Sequence, residues 1–231
     1  MVSAGIVPYA IGTDGGGSVR IPASLTGLFG IKANFGRVPV YPVSATPTLA
    51  HVGPLTRNVE DACTVLKYIS GSNWKDPFSV SEKVPNFNDS IKKKKIYKIA
   101  WSPTLGYAKP DPEVLDKIET AIKKITSLGH EVELVEKIFD NDPVDLWNAE
   151  FYAGVGTKLK QVIETNPDLI DPPILEVLKT FFCNWKWSLS SNFSLLERKY
   201  SQSFLSFSEN FLLNYVSVLT SCQFGLAEVV S

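Results

Sequence analysis

Three consecutive glycines followed by a serine lie near the start of the chain, in the stretch GTDGGGSVRIPAS that covers residues 12–24. Glycine has no Cβ atom and adopts backbone conformations that are closed to other residues. Successive backbone N–H groups can then point into one concavity, which stabilises a negatively charged oxygen. A serine at the end of such a loop places a nucleophile beside oxyanion donors, as acyl transfer requires. Gly15, Gly16, Gly17 and Ser18 are therefore candidates for this chemistry.

Three other interpretations of the same stretch compete with a nucleophile loop. A flexible linker is disfavoured, because Asp14 and Arg20 bracket the glycines and can pair across them, and Pro22 and an apolar run follow. A phosphate-binding loop is disfavoured because the chain has neither G-x-x-x-x-G-K-[ST] nor G-x-G-x-x-G after a long strand in a βαβ unit. A loop that only turns the chain and caps a helix stays open, and the residues alone favour neither it nor the nucleophile loop.

A serine nucleophile also needs a base, and the chain contains two histidines. His130 opens an expected strand far along the chain. His51 lies in PTLAHVGPLT and reaches the site only if its loop folds over the first segment. A structural or solvent-facing role is expected for His51, and no Ser-His-Asp triad is predicted.

The first part of the chain, residues 1–71, is expected to carry the candidate site on a loop-dense core. Glycine and proline are frequent there, which argues against a simple helical bundle. The segment ends in a predicted helix that Asn58 caps and Gly71 closes, with Cys63 on its apolar face. Polar residues 72–95 show no period and are predicted to form a surface connection.

The second part of the chain indicates an α/β protein. In residues 96–140 the strands YKIAWS and HEVELVE flank a helix capped by Asp111, which predicts a βαβ crossover with parallel strands. The expected buried face of that helix consists of Val114, Leu115, Ile118, Ala121, Ile122, Ile125 and Leu128. Residues 141–231 are predicted to be helical and rich in aromatic residues. Six of these aromatic residues are expected to pack in the hydrophobic core. The less favoured alternative is that they line an apolar substrate pocket: Trp147, Phe151, Phe181, Phe182, Trp185 and Trp187.

Composition indicates an ordinary folded protein and excludes several function classes. The 231 residues are 44% hydrophobic and 20% charged, with a net charge of −1. This charge does not favour a nucleic-acid partner, and the basic run Lys92–Lys95 is expected to be solvated. Cys63, Cys183 and Cys222 have no paired spacing, so neither a disulfide framework nor a zinc site is predicted. Without a membrane span or a secretory signal in the sequence, we expect a cytoplasmic protein with no membrane partner.

Longer motifs resemble those of the amidase signature family of serine hydrolases. The likeness is carried by GTDGGGSVRIPASLTGLFGIKANFGRVPVYP and TLAHVGPLTRNVEDACTVL, in order, and extends loosely through LGHEVELVE to about residue 150. It implies part of the amidase signature fold, an α/β fold with a mixed β-sheet and helices packed on it. It also implies cofactor-free chemistry without a metal.

The resemblance assigns a role to each residue of the opening stretch. Ser18 would be the acyl-accepting nucleophile, and the N–H groups of Gly15, Gly16 and Gly17 would form the oxyanion hole. Asp14 and Arg20 would brace the loop, with Arg20 also near the substrate. The family activates its serine with a lysine relayed through a second serine, so no histidine is needed.

The chain departs from the family pattern ahead of Ser18. The second serine and the lysine lie well upstream of the nucleophile in the family, whereas here only Ser3 and no lysine precede Ser18. Lys32 matches the structural Gly-x-Lys of the family rather than its base. The expected protein is therefore a truncated member or fragment that lacks N- and C-terminal parts and is inactive alone, unless a homodimer or a complementing chain completes it.

The leading function is hydrolysis of a small-molecule carboxylic amide through an acyl-enzyme on Ser18. A rival is the A subunit of a glutamine-dependent tRNA amidotransferase, although SATPTLAHVGPL is more similar to stand-alone amidases. A non-catalytic remnant or partner-binding scaffold is the third alternative.

Overall fold

The structure is a computed structural model that describes residues 1–92 and 95–188, the stretch 182–188 as backbone only. It confirms an α/β protein. The elements are β1 (Tyr9–Asp14), α1 (Arg20–Thr26), β2 (Phe29–Gly30), β3 (His51–Thr56), α2 (Val59–Ile69), α3 (Phe87–Ser90), β4 (Lys98–Trp101), α4 (Pro112–Ser127), β5 (Glu131–Leu134), α5 (Val144–Thr165) and α6 (Pro172–Ser188). A 3₁₀ turn, Pro167–Leu169, joins the last two helices.

The described strands form two sheets. The first is antiparallel, in the order β1-β3-β2, and its register places Asp14 opposite His51. The second pairs β4 with β5 in parallel, with Ile99 opposite Val132. Because α4 connects these two parallel strands, the predicted βαβ crossover is confirmed.

Helix α2 confirms its predicted cap and anchors the core beside the first sheet. The side chain of Asn58 accepts a hydrogen bond from the N–H of Asp61 at 2.8 Å, which satisfies an otherwise unpaired donor of the first turn. Cys63 is buried as predicted. The buried cluster comprises Ile31, Val38, Cys63, Leu66 and Phe87. Phe87 lies in the segment predicted to run over the surface, so part of residues 72–95 belongs to the core.

Helix α4 is less covered than its sequence predicts. Asp111 caps it by accepting from the N–H of Glu113 at 2.8 Å, as expected. None of its residues is fully buried, however, and Leu128, predicted on the buried face, is 66% exposed. The physical reason is size, since the two strands described beside it cannot cover the apolar stripe of a 16-residue helix.

Helices α5 and α6 confirm the helical prediction for their part of residues 141–231 and pack against each other. Helix α5 also lies directly on the loop that precedes β3. A Cβ atom added to Gly154 would lie 2.1 Å from the carbonyl oxygen of Ala45, so glycine permits this close approach. Among the described helices, none is long and apolar enough to cross a membrane. Residues 189–231, with their expected helical pattern, lie outside the described part of the chain.

Candidate active site

A short glycine loop, residues 15–19, connects β1 to α1 and carries the predicted nucleophile. Gly17 is buried and has a φ of 123°, a conformation that side-chain-bearing residues rarely adopt. The carbonyl of Gly17 accepts from the N–H of Ile21 at 2.7 Å, so the loop leads straight into the first turn of α1. Ser18 is exposed, between the buried residues Gly17 and Val19.

A buried ion pair between Asp14 and Arg20 holds the two ends of the glycine loop. Nε of Arg20 donates to one carboxylate oxygen at 2.9 Å and Nη2 donates to the other at 3.0 Å. The side chain of Asp14 is 0% exposed and that of Arg20 is 10% exposed. The same carboxylate accepts from the N–H groups of Gly17 at 2.6 Å and Val19 at 3.3 Å. Asp14 and Arg20 therefore pair across the glycines, and the same carboxylate also binds backbone N–H groups of the loop.

This set of donors keeps Asp14 ionised. Burial, the largest influence, raises the pKa of its carboxyl group. The hydrogen bond and the charge of Arg20, together with the N–H groups of Gly17 and Val19, outweigh burial and lower the pKa from 3.8 to about 2. The negative charge is thus present throughout the neutral range and orders the loop.

The three glycine N–H groups differ in what they contact. That of Gly17 donates to Asp14. Within the described part of the chain, the N–H groups of Gly15 and Gly16 and the hydroxyl of Ser18 have no protein hydrogen-bond partner. Two backbone donors and an exposed hydroxyl group therefore occur together on one short loop, which is chemically suited to an acyl group with a developing negative oxygen.

Two aromatic residues of α5 pack against the glycine loop. The indole Nε1 of Trp147 donates to the carbonyl oxygen of Gly15 at 2.9 Å. A Cβ atom added to Gly15 would lie 3.4 Å from the ring of Phe151. The sequence marked both residues as part of an aromatic set but gave no sign of this contact, because 132 residues separate Trp147 from Gly15. Phe181 lies farther away, stacked on Tyr152 at 5.3 Å, and the side chains of Phe182, Trp185 and Trp187 lie outside the described residues.

His51 and Lys32 form a half-buried pair at the base of the loop. Nδ1 of His51 lies 2.8 Å from the carbonyl oxygen of Leu49, so this nitrogen carries the proton and Nε2 accepts from Nζ of Lys32 at 3.3 Å. Burial and, second, the charge of Lys32 lower the pKa of His51; burial and then Arg20 lower the pKa of Lys32. In the strand register His51 lies opposite Asp14, and both of its ring nitrogens are engaged, by Leu49 and Lys32.

His130 takes no part in this arrangement. Its Nδ1 accepts from the N–H of Tyr97 at 3.2 Å, beside the parallel sheet. Among the residues that the structure describes, no group of three or more His, Cys, Asp or Glu side chains is arranged to hold a metal ion.

Acidification should destabilise the chain in two steps. The pKa of His51 in the folded chain lies below the 6.5 of the unfolded chain, so stability is full above 6.5 and falls as the pH drops below it. The contribution of Asp14 is present above 3.8 and is lost as the pH falls towards about 2. Urea unfolding midpoints measured against pH should show both losses, and a His51→Gln variant should keep only the lower one. An unchanged midpoint between about pH 7 and about pH 4.5 would contradict the placement of His51.

Comparison with known proteins shows which family this chain resembles throughout most of its length. The family model described as Amidase matches residues 1–212. The chain belongs to the amidase family. It is 32% identical over 159 residues to an acylamidase of Rhodococcus erythropolis, covering 68% of this chain and 33% of the relative. It is 41% identical over 136 residues to the A subunit of the glutamyl-tRNA(Gln) amidotransferase of Latilactobacillus sakei, covering 58% of this chain and 28% of that relative.

Solved structures of the family show how much of the fold is present. A bacterial aryl acylamidase of the amidase signature family matches 91% of this chain with a TM-score of 0.80 and 26% identity. The match covers 45% of that structure. The chain thus has the amidase signature fold in part, and it spans about a third of the length of the curated acylamidase.

Proposed function

We propose that this chain carries the nucleophile of an amide hydrolase, with Ser18 as the attacking residue. The observation that supports this most is the exposed hydroxyl of Ser18 on a loop fixed by the buried Asp14–Arg20 pair, next to two N–H groups with no described protein acceptor. Membership of the amidase family supports the same chemistry.

In the proposed reaction, Oγ of Ser18 attacks the carbonyl carbon of the amide and its proton passes to a base. The N–H groups of Gly15 and Gly16 hold the resulting oxyanion, while Gly17, which already donates to Asp14, serves as a brace. The C–N bond then breaks and the leaving nitrogen takes up a proton. Water hydrolyses the acyl-enzyme and regenerates Ser18.

We propose that the base comes from polypeptide outside the residues that the structure describes. No described side chain bonds to the hydroxyl of Ser18, and Lys32 is engaged with His51. The family resemblance suggests a lysine acting through a second serine, supplied by a longer form of this protein or by a second chain. The 231-residue chain alone would then have little turnover, because the members of a catalytic unit act together.

Two substrate classes follow from the relatives. Similarity to acylamidases supports an acyl amide of an amine or aniline. Similarity to the A subunits of amidotransferases, one of them 41% identical, supports glutamine as the ammonia donor.

Parallel assays of the protein isolated from its source cells distinguish these functions. We expect release of 4-nitroaniline from 4-nitroacetanilide, with little release of glutamate from glutamine. Glutamate release without anilide cleavage would instead favour the amidotransferase function. If neither product forms faster than with a Ser18→Ala variant, the non-catalytic scaffold is favoured and the hydrolase proposal fails.

A further inference from the structure

The indole ring of Trp147 is fitted closely against the peptide group that joins Gly15 to Gly16. Nε1 of Trp147 donates to the carbonyl oxygen of Gly15 at 2.9 Å. A Cβ atom added to Gly16 would lie 2.6 Å from Cζ2 of the same ring. The carbonyl is therefore bonded, and glycine is needed at position 16 for the ring to reach it.

Fixing this carbonyl also fixes an N–H group. A trans peptide is planar, with its C=O and its N–H pointing in opposite directions. The carbonyl of Gly15 and the N–H of Gly16 belong to one such plane. A hydrogen bond from Trp147 to that carbonyl thus turns the N–H of Gly16 away from α5, and this N–H is one of the two proposed oxyanion donors.

The orientation of the Gly15–Gly16 peptide group has to be fixed by a contact from outside the glycine loop. Peptide groups between glycines rotate with little steric resistance, because glycine tolerates conformations of either sign of φ. The brace at Asp14 holds the N–H groups of Gly17 and Val19 but contacts neither side of the Gly15–Gly16 peptide.

The ring of Trp147 is itself well anchored. It stacks on Phe151, with centroids 4.6 Å apart and planes 20° from parallel, and meets the ring of Tyr152 edge-on at 5.9 Å. Helix α5 also lies directly against the loop before β3, where Gly154 approaches the carbonyl of Ala45. The indole donor is therefore held at a defined position by packing on several sides.

We propose that Trp147 is a positioning residue whose indole N–H aligns the Gly15–Gly16 peptide so that the N–H of Gly16 can stabilise the oxyanion. This role rests on the proposed function, because it assumes that Ser18 is the nucleophile. It deepens that function by assigning part of the oxyanion hole to a helix far along the chain.

The test is the kinetics of Ser18 labelling by a fluorophosphonate, in the protein purified from its source cells. Trp147→Phe keeps an aromatic ring on Phe151 but removes the N–H. Trp74→Phe, at a tryptophan that is 88% exposed, is the matched control. Incorporation of 3-benzothienylalanine at position 147 keeps the size of the indole and replaces its N–H by sulfur, in case the phenylalanine variant folds poorly.

We expect both changes at position 147 to slow the covalent step about tenfold, less than the ~100-fold cost of deleting an oxyanion donor. Probe affinity in the reversible step should change less than about twofold. The Trp74 variant should match the parent in both measurements.

The outcomes separate this role from the proposed function. A labelled parent with an unchanged covalent rate in the two position-147 variants overturns the role of Trp147 alone. A parent that is not labelled at Ser18 overturns the proposed function, and the positioning role falls with it.

Discussion

Replacement of Ser18 by alanine is expected to lower amide turnover by at least about 10⁴-fold, because loss of the nucleophile alone removes nearly all the catalysis of its unit. Stability should not change, since Ser18 is exposed and its hydroxyl has no described protein partner. The measurement is a comparison of initial rates and thermal unfolding midpoints for parent and variant, with the protein that the source cell makes.

Ser24 provides the matched control for this substitution. It is also an exposed serine and lies on α1, six positions after Ser18. Ser24→Ala should keep both the rate and the unfolding midpoint of the parent. Equal rates for Ser18→Ala and Ser24→Ala would show that the turnover comes from another residue or another protein.

Replacement of Asp14 by asparagine is expected to destabilise the fold by about 3–5 kcal/mol, because it removes the carboxylate that pairs with the buried guanidinium of Arg20. Asparagine is neutral and presents an N–H₂ group to a pocket lined by donors. Arg20, Gly17 and Val19 all donate to the present carboxylate. The variant should unfold at lower urea concentration and lose labelling at Ser18.

The control for this substitution is Asp116→Asn on α4. The Asp116 side chain is 73% exposed and lies 3.7 Å from Lys117, so its loss should cost less than about 0.5 kcal/mol. A destabilisation by Asp14→Asn no larger than that of Asp116→Asn would mean that the buried pair does not hold the loop.

Local patterns in the sequence predicted the structural features that depend on residues close to one another along the chain. The caps at Asn58 and Asp111 follow from one residue and the turn after it, and both helices begin where expected. The pairing of Asp14 with Arg20 was also predictable, because the two residues carry opposite charges and lie on either side of a short loop. The likeness to amidases likewise rested on contiguous motifs, and the family match confirms it.

The features that escaped prediction depend on contacts between distant segments. Nothing near Trp147 indicates that its indole bonds to Gly15, 132 residues away. The position of His51 opposite Asp14 depends on strand pairing, and the burial of Phe87 depends on packing against α2. Leu128 shows the reverse case, since a periodic apolar stripe predicts burial whether or not the partner surface is large enough to cover it.

The most direct test of the central claim is mapping of the fluorophosphonate adduct by mass spectrometry of peptides from the intact protein. We expect one adduct on Ser18, absent when the protein is unfolded before labelling and absent in Ser18→Ala. An adduct on any other residue, or a folded protein with no adduct at Ser18, would contradict it.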